Sequence, residues 1–243
     1  MYGWRARVGV IVSPPNSVVE NEFIRMAPEG VSIHAARLRR PQGVGGGLSS
    51  DVVLDTNQDL MAAAESLTEL KLGAVVFAHT SGSMLRGPAY NQELVTALGE
   101  TVGCWAVTTA SAVVDALNAL GVTKLGMLAP YPEEMTLKEV DFLEEAKPGL
   151  KVVNHRSLGI GTGADLGDME PSVAYQESNR VDSPGIEALF LSGTNWRTVE
   201  VIESLEADLG KPVITANQVT MWATLKALNI PPKPGYGSIF SCR

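Results

Sequence analysis

The chain has 243 residues, which is enough for one large α/β domain or for two small lobes around a cleft. Hydrophobic residues make up 45% of it and charged residues 19%, a balance typical of a globular protein with a buried core. Aromatic residues make up only 6% and the formal net charge is −8, so the composition argues against binding to nucleic acid or to an anionic membrane. No apolar run reaches the roughly 18 residues of a membrane helix, and the N-terminus enters a strand pattern directly, so we expect a cytoplasmic protein.

Short apolar runs alternate with amphipathic helical patterns along the chain. The predicted strands are Val8–Val12, Val31–Leu38, Ala74–Ala78, Cys104–Val107, Lys124–Leu128, Lys151–Asn154, Ala188–Leu191 and Pro212–Thr215. The predicted helices, with apolar residues at i, i+3 and i+4, are Asn57–Leu70, Asn91–Val102, Ser111–Leu120, Glu133–Ala146, Trp196–Leu209 and Gln218–Leu228. Short, continuously apolar strands are typical of parallel sheets buried on both faces. The alternation therefore predicts a parallel, doubly wound α/β fold.

Two segments of the sequence look like copies of one another, Ala74–Gly82 and Ala188–Asn195. Each is an apolar strand that ends in small polar residues, and each is followed by a helix and a second strand. The repetition predicts two similar doubly wound parallel-sheet lobes related by a pseudo-twofold axis, with the active site in the cleft between them. We place the first lobe at residues 1–107 plus 218–243 and the second at residues 108–217.

No motif for a cofactor or a metal is present in the sequence. The glycine-rich stretch Pro41–Ser50 lacks the Gly-Lys-Ser/Thr of a phosphate-binding loop, and we interpret it as a mobile loop. Cys104 and Cys242 have neither metal-ligand nor disulfide spacing. We interpret Cys104 as a buried strand residue, and we expect the protein to need neither cofactor nor metal.

Hydroxyl and amide side chains follow the predicted strands at their C-terminal ends, where ligands bind in open α/β sheets. They are Ser13, Asn16, Ser17, Thr80, Ser81, Ser83, Tyr131, Ser192, Thr194, Asn195, Asn217 and Gln218. With backbone N–H groups at the helix starts, such a set suits a carboxylate or a developing enediolate and would act as an oxyanion hole. Any one of these residues can instead be an ordinary helix N-cap, but the same pattern in both copies favours a binding site.

His79 is the titratable residue of this region, and it directly follows the strand of the first copy. Because the ordinary pKa of histidine is about 6.5, its imidazole can give or take a proton at neutral pH. A histidine at a strand end can also be purely structural. We interpret the other two histidines, His34 and His155, in that way because both lie inside strand patterns.

Five segments resemble, in the same order, the maleate isomerases and arylmalonate decarboxylases of the aspartate/glutamate racemase superfamily. Pro14–Glu20 resembles the first active-site loop of the maleate isomerases, and Thr80–Ser83, with Arg86-Gly87 beyond it, resembles the first catalytic loop. The other three are Leu128–Tyr131, similar to the segment with the active-site tyrosine, Ser192–Thr198, similar to the second catalytic loop, and the C-terminal signature Pro234–Gly237. The resemblance extends from about residue 7 to residue 240.

This resemblance implies carbon-acid chemistry without a cofactor, in which an enediolate or a covalent adduct is held between two lobes. Racemases and isomerases of the superfamily use a cysteine from each lobe, whereas the decarboxylases use one cysteine, from the second lobe, and have a glycine at the first position. At these two positions the present chain has His79 and Gly193. Thiol addition and two-thiol racemisation are therefore not open to it in the form that the family uses.

We therefore predict a cofactor-independent lyase or isomerase that acts on a small carboxylic acid, in the manner of a decarboxylase or a maleate isomerase. The predicted catalytic residues are His79, in place of cysteine as acid/base, and Tyr131. The resemblance implies substrate contacts from Asn16, Thr80, Ser81, Gly193, Thr194 and Asn195. Two alternatives stay open: a hydrolase in which His79 activates water against an amide, lactone or ring carbonyl, and a non-catalytic protein that binds a small carboxylate. The resemblance is also compatible with a homo-oligomer.

Overall fold

The computed structural model describes residues 2–242, which form two parallel sheets of four strands each with helices on their faces. The strands are β1 (Ala6–Val12), β2 (Val31–Arg37), β3 (Ala74–Ala78), β4 (Trp105–Thr108), β5 (Lys124–Ala129), β6 (Lys151–Ser157), β7 (Ala188–Leu191) and β8 (Val213–Thr215). The helices are α1 (Val19–Met26), α2 (Ser50–Asn57), α3 (Leu60–Glu65), α4 (Thr80–Met84), α5 (Gly87–Val102), α6 (Thr109–Ala119), α7 (Glu133–Ala146), α8 (Gly163–Gly167), α9 (Pro171–Val181), α10 (Ile202–Leu209) and α11 (Ala216–Ala227). Two short 3₁₀ helices, Thr68–Leu70 and Ser238–Ser241, complete the described elements.

The two sheets have the same topology, with strand orders β2-β1-β3-β4 and β6-β5-β7-β8. In the first sheet Val8 of β1 pairs with Ala74 of β3, and in the second Leu125 of β5 pairs with Ala188 of β7. Ala74 and Ala188 begin the two sequence copies, so the copies occupy equivalent positions. The predicted α/β fold with two similar parallel-sheet lobes is confirmed.

Burial separates β2 and β6, each at one edge of its sheet, from the other strands, which include β4 and β8 at the opposite edges. Every residue of β3 and β7 is buried, because helices cover both faces of the sheets at these positions. The edge strands β2 and β6 are partly exposed along their whole length. The continuous apolar runs in the sequence therefore mark the strands that are buried, and the C-terminal ends of β3 and β7 bring the two copies' polar loops together.

Two predicted helices differ most from the observed ones, and α5 begins four residues before its predicted start, at Gly87. The predicted helix Asn57–Leu70 breaks at Asp59, whose carboxylate accepts hydrogen bonds from the backbone and guanidinium of Arg39. The predicted helix Trp196–Leu209 begins only at Ile202, because the backbone N–H groups of Thr198 and Val199 donate to a side chain of the other lobe. The second copy's loop therefore does not run directly into a helix.

The side chain that receives these two bonds is Glu22, on a helix, α1, that the sequence pattern did not predict. Cys104 was also placed wrongly, because it precedes β4 and is only half-buried.

Helix α11 packs against α6, α1 and strands β3 and β4 of the first sheet. The lobe boundaries at residues 107/108 and 217/218 stay a prediction. No helix within residues 2–242 is both long enough and apolar enough to cross a membrane.

Candidate functional site

A cavity of about 30 Å³ lies where the C-terminal ends of the central strands of both sheets meet. Its walls are formed by Ser13, Pro15, Leu48, Val53, His79, Ser81, Tyr131, Gly163, Leu166, Thr194 and Asn195. The other predicted site residues are next to it: Asn16 donates a hydrogen bond to the Thr194 hydroxyl at 3.3 Å, and the fully buried Thr80 follows His79. All eight predicted residues are therefore brought together from positions far apart in the sequence.

The imidazole of His79 is held by packing rather than by hydrogen bonds. Its ring lies edge-on to Phe77, with ring centroids 5.6 Å apart. Its Nδ1 lies over Gly82, where an added Cβ would come within 2.5 Å of it, so only glycine leaves room for the ring. Nδ1 is buried without a hydrogen-bond partner among residues 2–242, and burial lowers the pKa of His79 to about 4. The imidazole is therefore neutral at neutral pH, and its side chain lines the cavity.

Gly193, the second copy's counterpart of His79, has a backbone φ of 110°, a region that L side chains rarely adopt. A Cβ at this position would lie 3.1 Å from Cγ of Pro130 and 3.2 Å from the hydroxyl oxygen of Tyr131. The absence of a side chain at residue 193 therefore lets the tyrosine hydroxyl approach the backbone of the second copy. Only one of the two copies supplies a titratable group to the cavity.

Tyr131 and Thr80 bring hydroxyl groups to the same region. Burial, and then the neighbouring carboxyl of Glu139, raise the pKa of Tyr131 well above its usual value, so its hydroxyl stays protonated. The hydroxyl of Thr80 is buried without a hydrogen-bond partner in the described part of the chain. Because a buried hydroxyl without a partner is costly, an orphan hydroxyl at a cavity suits a ligand that completes it.

The two asparagines fasten loops to each other. Asn195 Nδ2 donates to the carbonyl oxygens of Gly163 at 2.6 Å and Pro15 at 3.3 Å, and its Oδ1 accepts from the backbone of Ser17 at 2.9 Å. Asn16 Oδ1 accepts from two backbone N–H groups at the start of α1, each at 3.0 Å. Since both donors of Asn195 are occupied, the hydroxyl groups are better placed than this amide to donate to a substrate.

Glu139 is a residue of this region that the sequence pattern did not single out. It lies on α7, is fully buried, and accepts hydrogen bonds from the hydroxyls of Ser81 at 2.8 Å and Ser192 at 2.5 Å. Burial raises the pKa of Glu139 to about 7, although the two serine hydroxyls act in the opposite direction. It falls on the buried face of α7 with Met135 and Phe142, and a charged residue on an apolar helix face was the signal that could have found it.

A second buried carboxyl, that of Glu22, occupies the equivalent position in the first lobe. Val8 of β1 and Leu125 of β5 occupy equivalent positions in the two sheets. Glu22 lies 14 residues after Val8, and Glu139 lies 14 residues after Leu125. Glu22 accepts from the backbone N–H groups of Thr198 at 2.9 Å and Val199 at 3.2 Å, and from Nδ2 of Asn217 at 2.7 Å. Burial raises the pKa of Glu22 to about 7 as well. Each glutamate therefore reaches a loop of the other lobe.

The glycine-rich loop covers the cavity. The backbone N–H of Leu48 donates to the carbonyl of Gly161 at 2.8 Å, and Gly47 forms an isolated antiparallel bridge with Thr162. Under this loop a second cavity of about 30 Å³ is lined by His79 and Arg40, and Nε of Arg40 is buried without a hydrogen-bond partner in residues 2–242. Cavities of this size hold water rather than an organic acid.

The remaining surface depressions and histidines do not bring comparable groups together. Surface depressions of about 480 and 650 Å³ surround the C-terminal segment, but neither contains a histidine. His34 is bonded to Ser32 at 2.9 Å and His155 to Glu133 at 3.0 Å, as expected of structural histidines. Within the described residues no group of three or more His, Cys, Asp or Glu side chains could hold a metal ion.

Comparison with known proteins agrees with this architecture. The family model described as arylmalonate decarboxylase matches residues 8–240. A maleate isomerase of Pseudomonas putida is 26% identical, with 97% of each chain covered, and an arylmalonate decarboxylase of Bordetella bronchiseptica is 27% identical, with 96% of this chain and 95% of that protein covered. The crystal structure of a maleate isomerase from Pseudomonas putida S16 with maleate superposes with a TM-score of 0.90 over 98% of both chains, at 24% identity.

Proposed function

Because the chain belongs to the arylmalonate decarboxylase family, whose relatives are cofactor-independent isomerases and decarboxylases, we propose that it is a lyase or isomerase that uses His79 as its acid/base on a small carboxylic acid. The observation that carries the proposal is the imidazole of His79. It lines the cavity between the two copies, and its Nδ1 is buried with no hydrogen-bond partner within residues 2–242. A purely structural histidine would be expected to have such a partner.

The neutral state of His79 favours proton abstraction. In the proposed reaction the imidazole takes a proton from the carbon next to the substrate carboxylate, and the electron pair of that C–H bond moves into the carboxylate to form an enediolate. The hydroxyls of Thr80 and Tyr131 donate to the enediolate oxygens, where negative charge develops. The imidazolium then returns its proton to carbon: return to the side that the proton left regenerates the acid, and net isomerisation requires the enediolate to turn in the cavity before it is reprotonated. One such general acid/base contributes roughly 10²- to 10⁴-fold in rate.

A malonate-type acid would reach the same intermediate by another route. The electron pair of the breaking C–C bond forms the enediolate as CO₂ leaves, and the new C–H bond takes its proton from His79. For this route the imidazole must be protonated when the substrate binds, and a bound dianion raises the pKa of a neighbouring histidine. Arg40 adds a positive charge next to His79. This charge suits substrates with a second anionic group, as the names of the two relatives indicate for maleate and arylmalonates.

The route does not depend on a thiol. Cys104 precedes β4, and so lies at the end of the sheet opposite the cavity, and Cys242 lies in the C-terminal segment. At the two family positions the chain has an imidazole and a glycine, and a Cβ on that glycine would lie 3.1 Å from Pro130 and 3.2 Å from Tyr131. A proton-transfer mechanism therefore replaces covalent catalysis in this proposal.

Turnover of maleate and of phenylmalonate, followed by NMR in the presence of EDTA, tests the proposal. We expect isomerised or decarboxylated product from at least one of them, formed about 10²- to 10⁴-fold more slowly by His79→Gln at the same protein concentration. Incorporation of ¹⁸O from labelled water into the product would instead indicate a hydrolase. Binding of both acids without any turnover would show that the protein only binds carboxylates.

A further inference from the structure

We propose that Glu139 is a positioning residue which, by holding a proton, frees a serine hydroxyl to donate into the cavity, and that it loses this effect when it ionises. The proposal rests on the proposed function, since it concerns the donors for the enediolate. Its basis is that one fully buried carboxyl bridges the hydroxyls of Ser81, at the first copy, and Ser192, at the second.

The number of available protons decides what these three side chains can do. An ionised carboxylate only accepts hydrogen bonds, so both serine hydroxyls must donate to it and neither has a proton left. A protonated carboxyl donates to one serine, whose own proton is then free to point elsewhere. Ser81 lines the cavity next to Tyr131, so a proton released there reaches the side where the substrate binds.

The surroundings of Glu139 contain no charge that would hold it ionised. The cationic groups of α7 and of the elements packed against it have other partners: Lys138 pairs with Glu134, Lys151 with Glu144, Arg156 with Glu177, and Arg86 lies over the ring of Tyr90, while His155 is hydrogen-bonded to Glu133. Helix α4 has no titratable side chain, and Glu93 and Glu100 of α5 are exposed. The titratable groups at the cavity itself are Tyr131 and His79, both neutral at neutral pH.

The equivalent residue Glu22 shows the contrast. Its three hydrogen-bond partners, two backbone N–H groups and an amide NH₂, can only donate, so a proton on Glu22 would free no hydroxyl. Glu22 therefore shares the burial and the raised pKa of Glu139, but its protonation cannot free a hydroxyl to donate into the cavity. It is a matched control.

The test compares the pH dependence of kcat/KM for the wild type, Glu139→Gln and Glu22→Gln. Above the pKa of Glu139, about 7, the wild-type value should fall up to tenfold per pH unit, because the ionised form loses its donor. Glutamine donates at every pH, so Glu139→Gln should lose this alkaline limb and exceed the wild type at pH 8.5. Glu22→Gln should keep the limb, even if it is less stable. An unchanged alkaline limb in Glu139→Gln would overturn the proposal.

Two further measurements keep the proposal testable if Glu139→Gln folds poorly or no substrate is found. Ser192→Ala removes a hydrogen bond that lowers the pKa of Glu139, so the alkaline limb should move to higher pH. An alkaline limb that stays in place or moves to lower pH would contradict the proposed role of Glu139. Infrared difference spectra need no substrate. They should show protonated carboxyl absorption that disappears near pH 7, with one part missing from Glu139→Gln and the other part, that of Glu22, missing from Glu22→Gln. No loss of such a band in Glu139→Gln would refute the protonated state, whether or not the catalytic proposal holds.

Discussion

The two copies of the strand–loop unit have the same backbone placement but different chemistry. The first presents His79 and Thr80, whose buried polar atoms lack partners among residues 2–242. The second presents Gly193, which carries no side chain, and Asn195, whose donors are occupied by backbone carbonyls. A repeated fold has therefore become a one-sided site in this protein. In the proposed reaction the first loop supplies the acid/base, while the second leaves room for the hydroxyl of Tyr131 and joins the loops through Asn195.

Of the changes considered, removal of the His79 imidazole should have the largest effect on activity. His79→Ala should lower kcat by about 10²- to 10⁴-fold and change KM less, because the hydroxyls that bind the carboxylate remain. Wild-type kcat/KM should rise with pH through about 4, where His79 loses its proton and becomes able to act as a base. The variant should lose this acid limb. His34→Gln, which alters a histidine bonded to Ser32, is the control that should keep both activity and limb.

Tyr131→Phe removes one hydroxyl and leaves the packing of the ring. Loss of one donor from a water-excluded oxyanion site costs about 10²- to 10³-fold in kcat. Tyr175→Phe is a suitable control, because the hydroxyl of Tyr175 bonds to Asp208 at the surface. Wild-type kinetics for Tyr131→Phe would remove this tyrosine from the substrate site.

Gly193→Ala tests the second loop. The backbone φ of residue 193 is unfavourable for alanine, and the added Cβ would lie 3.1–3.2 Å from Pro130 and Tyr131. The substitution should therefore lower the free energy of unfolding by about 1–3 kcal/mol and displace the tyrosine hydroxyl. Urea denaturation measures this change. Gly185→Ala is the matched substitution, because nothing lies within 4 Å of its added Cβ, and its stability should stay close to that of the wild type. Equal stability of the two variants would show that a side chain at residue 193 causes no strain.

Substitution of the two cysteines should have the smallest effect on activity. A Cys104→Ser, Cys242→Ser double variant should retain most of its activity, since neither thiol lines the cavity. Iodoacetamide should inactivate the wild type slowly and without protection by substrate. Rapid, substrate-protected inactivation would mean that a thiol does take part in the reaction.

The sequence predicted the sheets better than the helices, for a physical reason. Strands such as β3 and β7 are buried on both faces, so their apolar runs are continuous and their bounds were predicted without error. The helix bounds that failed depend on contacts distant in sequence. The chain from Trp196 to Val201 stays non-helical because two of its N–H groups bond to Glu22, 176 and 177 residues away.

The same limit applies to the candidate site. His79 was singled out from the sequence because it follows a strand that ends in small polar residues, and the structure places it at the cavity. Glu139 was not singled out, because its partners Ser81 and Ser192 lie 58 and 53 residues away. A sequence also does not reveal that both donors of Asn195 are used by backbone carbonyls.

Deuterium exchange at the carbon next to the carboxylate tests the central claim most directly. A substrate or product acid is incubated with enzyme in D₂O, and NMR follows the loss of the C–H signal for the wild type and for His79→Gln. We predict that the wild type exchanges one of the two hydrogens of a CH₂ group stereospecifically, because His79 faces the substrate from one side only, and that His79→Gln exchanges neither. Exchange at the wild-type rate in His79→Gln, or equal exchange of both hydrogens, would contradict a one-sided site with His79 as its acid/base.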